Sequence, residues 1–312
     1  MKPIILGLYG ISKNHKDTSG YEVVKSNDAI NILKTAWGRG IRFLDTAPSY
    51  GRGNADFLIK ELRKLNYDFK LISKLGLDIQ SNKFCDDKDL IKKELFNLRN
   101  NHGDNIHSVL LHSPTKNFIS KNENLHFFYD NAKSILGDQV NIGISLRAPG
   151  DSKYLDSFEY DLLIESNLSW FDLRILNYLN SKNKSKFKII ARSIYASGII
   201  NIICDRNKNQ TKKFSDHDIR SSWNINNLLN ENKSDIERIN KVKNILKTIS
   251  LSEIGFSLFP LLSPFLFGII VGPLTQDELI DSDSSYRQKI PKNIENNLRN
   301  ILNELNPLLF ER

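Results

Sequence analysis

The chain has 312 residues, 40% hydrophobic and 26% charged, enough apolar material to exclude wholesale disorder. Its longest apolar stretch, Leu258 to Pro273, is broken by Pro260, Ser263, Pro264 and Gly268, so no run approaches the roughly 18 residues of a spanning helix. The formal charge of +8 attracts anions, yet the densest basic runs, Lys182–Lys188 and Lys208–Lys213, lie in polar stretches without interleaved aromatics, which argues against a nucleic-acid face.

The N-terminal segment MKPIILGLYGISKN lacks the long apolar core of a signal peptide, and Cys85 and Cys204 build neither a disulfide framework nor a four-ligand zinc site. These features predict a cytoplasmic protein with no metal, no membrane and no nucleic-acid partner. Short apolar runs rich in β-branched residues then recur along the chain. They fall at Ile4–Leu8, Ile41–Leu44, Phe69–Ile72, Ile106–Leu111, Val140–Ile144, Asp161–Ile164, Phe187–Ala191 and Phe267–Val271, and each reads as a buried strand.

Helical patterns lie between them. Asn27–Gly38 sets Ile30, Leu33 and Trp37 at helical spacing. Asp87–Leu98 puts Leu90, Ile91, Leu95 and Leu98 on one face, and Asp235–Ile249 does the same with Ile236, Ile239, Val242, Ile245 and Leu246. Alternation of this kind implies parallel strands with crossover helices, and eight units suit a closed (β/α)8 TIM barrel forming a single domain over 1–312. A doubly wound sheet is the competing arrangement. The first strand, however, runs into Leu8-Tyr9-Gly10-Ile11-Ser12, which is no G-x-G-x-x-G, and no phosphate-binding G-x-x-x-x-G-K-[ST] appears. Residues 201–233, rich in Asn, Lys, Asp and Ser, read as a polar insertion after the seventh strand.

On a barrel, chemistry collects at the C-terminal ends of the strands. The second run ends in Asp45, the third in Ser73-Lys74 and the fourth in His112, with Tyr50 five residues beyond Asp45. Each taken singly reads as a capped loop residue, a snorkelling lysine or a core histidine. Together, an Asp–Lys pair is the economical way to bury either charge.

These residues resemble the aldo-keto reductase family. Its signature G-x-x-x-x-D-T-A-x-x-Y-G is matched throughout by Gly40-Ile41-Arg42-Phe43-Leu44-Asp45-Thr46-Ala47-Pro48-Ser49-Tyr50-Gly51. The family's tetrad maps onto Asp45, Tyr50, Lys74 in Ile72-Ser73-Lys74-Leu75-Gly76, and His112 in Leu110-Leu111-His112. The likeness continues through Ile142-Gly143-Ile144-Ser145, Asp172-Leu173-Arg174, Arg192-Ser193-Ile194-Tyr195 with Gly198, and Ile269-Ile270-Val271-Gly272.

The resemblance implies an NAD(P)H-dependent oxidoreductase that reduces a carbonyl to an alcohol. A free tyrosine, with its pKa near 10, is a poor acid–base partner at neutral pH; a neighbouring Lys74 lowers that pKa, Asp45 holds the lysine charged, and His112 hydrogen-bonds the carbonyl oxygen. It also places the cofactor against Ser145, Glu165, Arg192, Ser193, Gly272, Leu274, Glu278 and Ser282. Several of these depart from the family pattern. Leu146 stands where Asn is common, Glu165 replaces a Gln, and Ser169 falls at another Asn. Arg192 stands where many members stack an aromatic on the nicotinamide, and it reads equally as a strand-end ion pair. Leu274, Glu278 and Ser282 replace the base and the amides that read the 2′-phosphate and adenine of NADP. NADP is the family's usual cofactor, and NAD is admitted here too.

Tyr9 and Trp170 are candidate pocket walls. The short last run Pro307-Leu308-Leu309-Phe310-Glu311-Arg312 predicts an open site suited to a small-molecule carbonyl as bulky as a sugar derivative, in a monomer or weak homo-oligomer. The competing reading is a non-catalytic nicotinamide-sensing or partner-binding barrel, and a third is sugar epimerisation with the hydride returned after oxidation.

Overall fold

The structure, a computed structural model, describes residues 2–13, 21–79, 81, 83–169, 172–182, 186–195 and 263–287, with 292, 293, 295, 296 and 300. The 201–233 insertion, the Asp235–Ile249 pattern, Trp170, Gly198 and the last run lie outside them.

Eight short strands pair in parallel in sequence order and close into a barrel: β1 (Ile4–Gly7), β2 (Phe43–Asp45), β3 (Lys70–Leu75), β4 (Ile106–His112), β5 (Asn141–Ser145), β6 (Leu162–Asn167), β7 (Phe187–Arg192) and β8 (Leu266–Val271). Closure comes from β1 and β8, where Ile4 faces Ile269 and Leu6 faces Val271. This is the (β/α)8 barrel that the alternation predicts.

The crossovers carry α1 (Leu8–Ile11), α2 (Ser26–Gly38), α3 (Asn54–Lys64), α4 (Lys88–His102), α5 (Lys116–Ile119), α6 (Asn122–Leu136) and α7 (Arg174–Lys182), with α8 (Gln276–Arg287) after the last strand. The start of α4 shows how the sequence sets a boundary. Asp87 is its cap, and its carboxylate accepts from the backbone N–H of Asp89 at 2.9 Å and Leu90 at 3.3 Å. Leu33, Leu58, Leu95 and Phe128 are buried with the outward faces of the strands in one continuous core. The β5–β6 connection departs from the α-helical pattern: Pro149–Leu155 is a 3-10 segment. Pro149 leads it, and Gly150 and Ser152 are weak helix formers.

Inside the barrel, Ile5, Ile72, Leu110, Leu163 and Ile190 form a second, separate cluster, with Phe43, Phe267 and Ile270 packed against it. Strand side chains alternate, so the residue two positions further along faces the same way. That step leads from Phe43 to Asp45, Ile72 to Lys74, Leu110 to His112, Gly143 to Ser145, Leu163 to Glu165 and Ile190 to Arg192. A polar layer therefore sits directly on the apolar plug, at the C-terminal mouth.

Candidate active site

Lys74 is the centre of that layer and is fully buried, at 0% exposure. Its Nζ donates to Asp45 Oδ1 and, at 3.0 Å, to the phenolic oxygen of Tyr50; Glu165 Oε2 stands 3.3 Å from the same nitrogen. An ammonium this deep survives only because carboxylates face it. Burial pushes its pKa down, but Asp45 and Glu165 outweigh burial and hold it above the ordinary lysine value.

Tyr50 follows β2 in the turn Tyr50–Gly53. Gly51 has φ +56, and a Cβ there would collide with the carbonyl of Ser12, so the glycine after the tyrosine allows the turn to pack against the segment after β1. The Tyr50 ring meets His112 edge-on at 5.7 Å and Tyr9 at 5.3 Å, which makes Tyr9 a wall beside the phenol. Lys74 lowers the phenol's pKa as the residue types predict, but the net shift is the reverse of that expectation. Burial raises it most, Asp45 and Glu165 add to the rise, and Tyr50 stays protonated well past neutrality.

His112 ends β4, in register with Ser145 on β5, which is in turn in register with Glu165 on β6. Burial and then Lys74 depress its pKa to about 3, so its ring is neutral at physiological pH. Among the described residues its buried Nδ1 has no hydrogen-bond partner.

Arg192, at the end of β7, reaches across two strands. Its Nη1 donates to Ser145 Oγ at 3.0 Å and lies 3.3 Å from Glu165 Oε1, its Nε donates to Asn167 Oδ1 at 3.0 Å, and Nη2 donates to the carbonyl of Leu146. Ser145 Oγ donates to Glu165 Oε1 at 3.0 Å, and Ser193 Oγ bonds Asn167 Oδ1 at 3.2 Å. Of the two sequence readings of Arg192, the ion pair is present. Burial raises the pKa of Glu165, but Lys74 and Arg192 together hold it below the ordinary carboxylate value. Asp45 is lifted to about 7 by burial and by Glu165, against the pull of Lys74. Asn167 is the residue that sequence reasoning missed; its signal was the two-residue step from Glu165 along β6.

The remaining predicted residues form a second group around the turn after β8. Glu278 Oε2 accepts from the backbone N–H of Leu274 at 2.7 Å, and Ser282 Oγ accepts from the Tyr195 hydroxyl at 3.0 Å. Among the described residues, a Cβ on Gly272 would meet nothing within 4 Å. Arg287, the nearest base along the chain, is turned elsewhere: it donates to Asp283 Oδ2 at 2.9 Å and to the Arg39 carbonyl at 2.5 Å, and Arg39 Nε holds the same carboxylate at 2.6 Å.

Fold and site together define a (β/α)8 protein with a buried lysine–carboxylate cluster beside a protonated tyrosine, at the end where barrel enzymes carry their chemistry. The sequence profile of the Aldo/keto reductase family matches residues 3–282, and the chain belongs to that family of oxidoreductases. Its fold is similar to a glycerol dehydrogenase from Gluconobacter oxydans (TM-score 0.69, 17% identity, 96% of this chain and 91% of that one). It is also similar to an aldo-keto reductase from Bacillus halodurans in its holo form (TM-score 0.67, 16% identity, 91% of each chain). No curated protein sequence matches the chain. Among the described residues, no helix is long and apolar enough to cross a membrane.

Membership implies a nicotinamide cofactor, and the residues can be tested against one. At the nicotinamide end they fit. Ser145, Glu165 and Arg192 supply both acceptors and donors for a carboxamide, and the guanidinium offers a planar face. At the turn after β8, Arg287 is committed to Asp283 and the Arg39 carbonyl, and the hydrogen bonds of Leu274 and Glu278 include no base as a partner for a 2′-phosphate.

Proposed function

We propose that the chain reduces the carbonyl of a small-molecule aldehyde, ketone or sugar derivative to an alcohol, with Tyr50 as the proton donor. The observation that supports this most directly is the Lys74–Tyr50 hydrogen bond of 3.0 Å, with Lys74 held between two carboxylates. Asp45, Tyr50, Lys74 and His112 are then the catalytic groups. Ser145, Glu165, Arg192 and Ser193 would hold the nicotinamide end of NAD(P)H, and Gly272, Leu274, Glu278 and Ser282 would lie toward its adenosine end.

When bound, the cofactor supplies the hydride that reduces the carbonyl carbon. His112, neutral, donates a ring N–H hydrogen bond to the carbonyl oxygen in this reading and fixes it beside Tyr50. Tyr50 gives its phenolic proton to that oxygen as negative charge develops there, and the new O–H bond completes the alcohol. The phenolate left behind lies against the Lys74 ammonium, which stabilises it until the proton is replaced from solvent. Asp45 keeps the ammonium charged and oriented. Tyr9, 46% exposed, closes one side of the site without sealing it, which suits a bulky polar substrate.

Consumption of NADH or NADPH with a panel of aldehydes and aldoses tests the reading. Turnover above the uncatalysed rate is expected. Folded protein that binds nicotinamide cofactor without turnover would be a sensor or partner-binding barrel instead.

A further inference from the structure

The mouth of the barrel holds an unusual charge pattern: one ammonium serves two carboxylates. Lys74 Nζ contacts Asp45 and lies 3.3 Å from Glu165. With Lys74 alone, the cluster beside Tyr50 would carry a net negative charge, which opposes formation of a phenolate. Arg192, 3.3 Å from the other oxygen of Glu165, brings the sum to zero when Asp45 is ionised.

We propose that Arg192 is a positioning residue that acts through Glu165 to set the charge Lys74 presents to Tyr50. This rests on the reading of Tyr50 as the proton donor. The guanidinium is held by acceptors on two strands or their ends: Asn167 on β6, Arg192's own neighbour across the sheet, and Ser145 and the Leu146 carbonyl at β5. Ser145 relays the contact, because its hydroxyl accepts from Arg192 and donates to Glu165, each at 3.0 Å. The planar fork matches this set of acceptors, and a compact ammonium would not reach them all. The groups that face Lys74 and Tyr50 are Asp45 from β2, His112 from β4, Glu165 from β6 and Arg192 from β7, with the Tyr9 ring at the rim. His112 is neutral, so among these groups the charge is carried by Lys74, Arg192, Glu165 and, once it ionises above about pH 7, Asp45.

Removal of the guanidinium leaves Glu165 and Asp45 sharing one cation. Asp45 already holds its proton up to about 7 in the intact cluster, and without the guanidinium the folded pair holds it to higher pH still. Stability is therefore present at low pH and lost as pH rises through the folded value, which lies above the about 7 of Asp45 in the intact cluster. Denaturant midpoints of cofactor-free protein at pH 6 and pH 8 report this without any need for activity.

Arg192→Met is expected to lose about twice as much midpoint at pH 8 as at pH 6, and Glu165→Gln in the same chain to abolish the difference. Arg192→Lys, which keeps the charge, is expected to show no such pH dependence, and it decides the matter if Arg192→Met does not fold. The pH profile of turnover is expected to move with the midpoints. Equal loss at both pH values, or loss that Glu165→Gln leaves untouched, overturns the proposal. A wild-type protein without turnover whose variants still show the pH-dependent loss would overturn only the carbonyl-reductase reading; turnover without that loss would overturn only the charge link.

Discussion

At the scale of single residues, Tyr50 is where opposing effects meet. The desolvation that keeps its phenol protonated also makes the proton harder to give up, and Lys74 at 3.0 Å limits the cost of the phenolate that donation leaves. Tyr50→Phe removes only the hydroxyl, and its ring contacts with Tyr9 and His112 survive. A fall of about 10²–10⁴-fold in kcat is expected, with cofactor affinity within about twofold of wild type. Stopped-flow turnover and a cofactor titration on the same protein measure both, and comparable turnover would place the proton donor elsewhere. His112 allows a prediction of opposite character, because it bears on stability. Its folded pKa lies at about 3 against an ordinary 6.5, mainly through burial. The unfolded chain therefore takes up a proton at this site that the folded chain refuses. The stability involved is fully present above the unfolded value and is lost as pH falls from there toward about 3. By pH 5 the loss reaches about 2 kcal/mol. His112→Asn removes the titration, so its urea midpoint should decline less between pH 7 and pH 5 than that of wild type.

At the scale of the element, the strands place the site by a two-residue step, and Gly143 is the point where that step is tightest. A Cβ on Gly143 would collide with the Leu163 carbonyl of β6 and with Leu110 Cδ2 on β4. Neither the backbone of a paired strand nor a plug residue yields cheaply. Gly143→Ala should destabilise by about 1–3 kcal/mol or more, visible as a lowered Tm. Gly150, with nothing within 4 Å of where its Cβ would be, is the control. Gly150→Ala should hold or raise Tm, by as much as about 1 kcal/mol of stability. A Gly143→Ala protein as stable as this control would mean that β5 and β6 lie further apart.

The same strands explain what was readable in advance. All eight were legible because a buried parallel strand is a compact apolar run, and Asp45, Lys74 and His112 were legible because they interrupt such runs at their ends. Ser145, Glu165 and Arg192 were legible as positions but not as a network, since their bonds cross between strands and depend on a register that the sequence does not print. Asn167 was missed for that reason. The sign of the Tyr50 shift was missed because a lysine is visible in sequence, whereas burial and the second carboxylate on that lysine are properties of the assembled mouth. The β5–β6 connection, for which the sequence shows no helical pattern, holds a 3-10 segment led by Pro149-Gly150.

At the scale of the whole molecule, the +8 charge favours an anionic ligand in general, and NADPH is more anionic than NADH. Net charge acts at a distance and is screened over about 10 Å at 0.1 M salt, so it raises encounter with both cofactors and distinguishes them little. Discrimination needs a base within hydrogen-bond reach of the 2′-phosphate, and such a contact is worth about 1.5–3 kcal/mol, more than tenfold in affinity. The turn after β8 offers the opposite charge. Glu278 already accepts the Leu274 N–H at 2.7 Å, and Asp277 stands beside it in the first turn of α8. Arg39 and Arg287 share the buried carboxylate of Asp283, where they tie α2 to α8. Their release would leave that carboxylate, 1% exposed, without a partner. NADH and NADPH should therefore bind within about tenfold of each other, with both affinities falling together as salt is raised. Fluorescence titrations of the two cofactors at low and high salt measure this directly. A hundredfold preference for NADPH that disappears at high salt would show a basic phosphate site built from residues other than Leu274, Glu278 and Ser282.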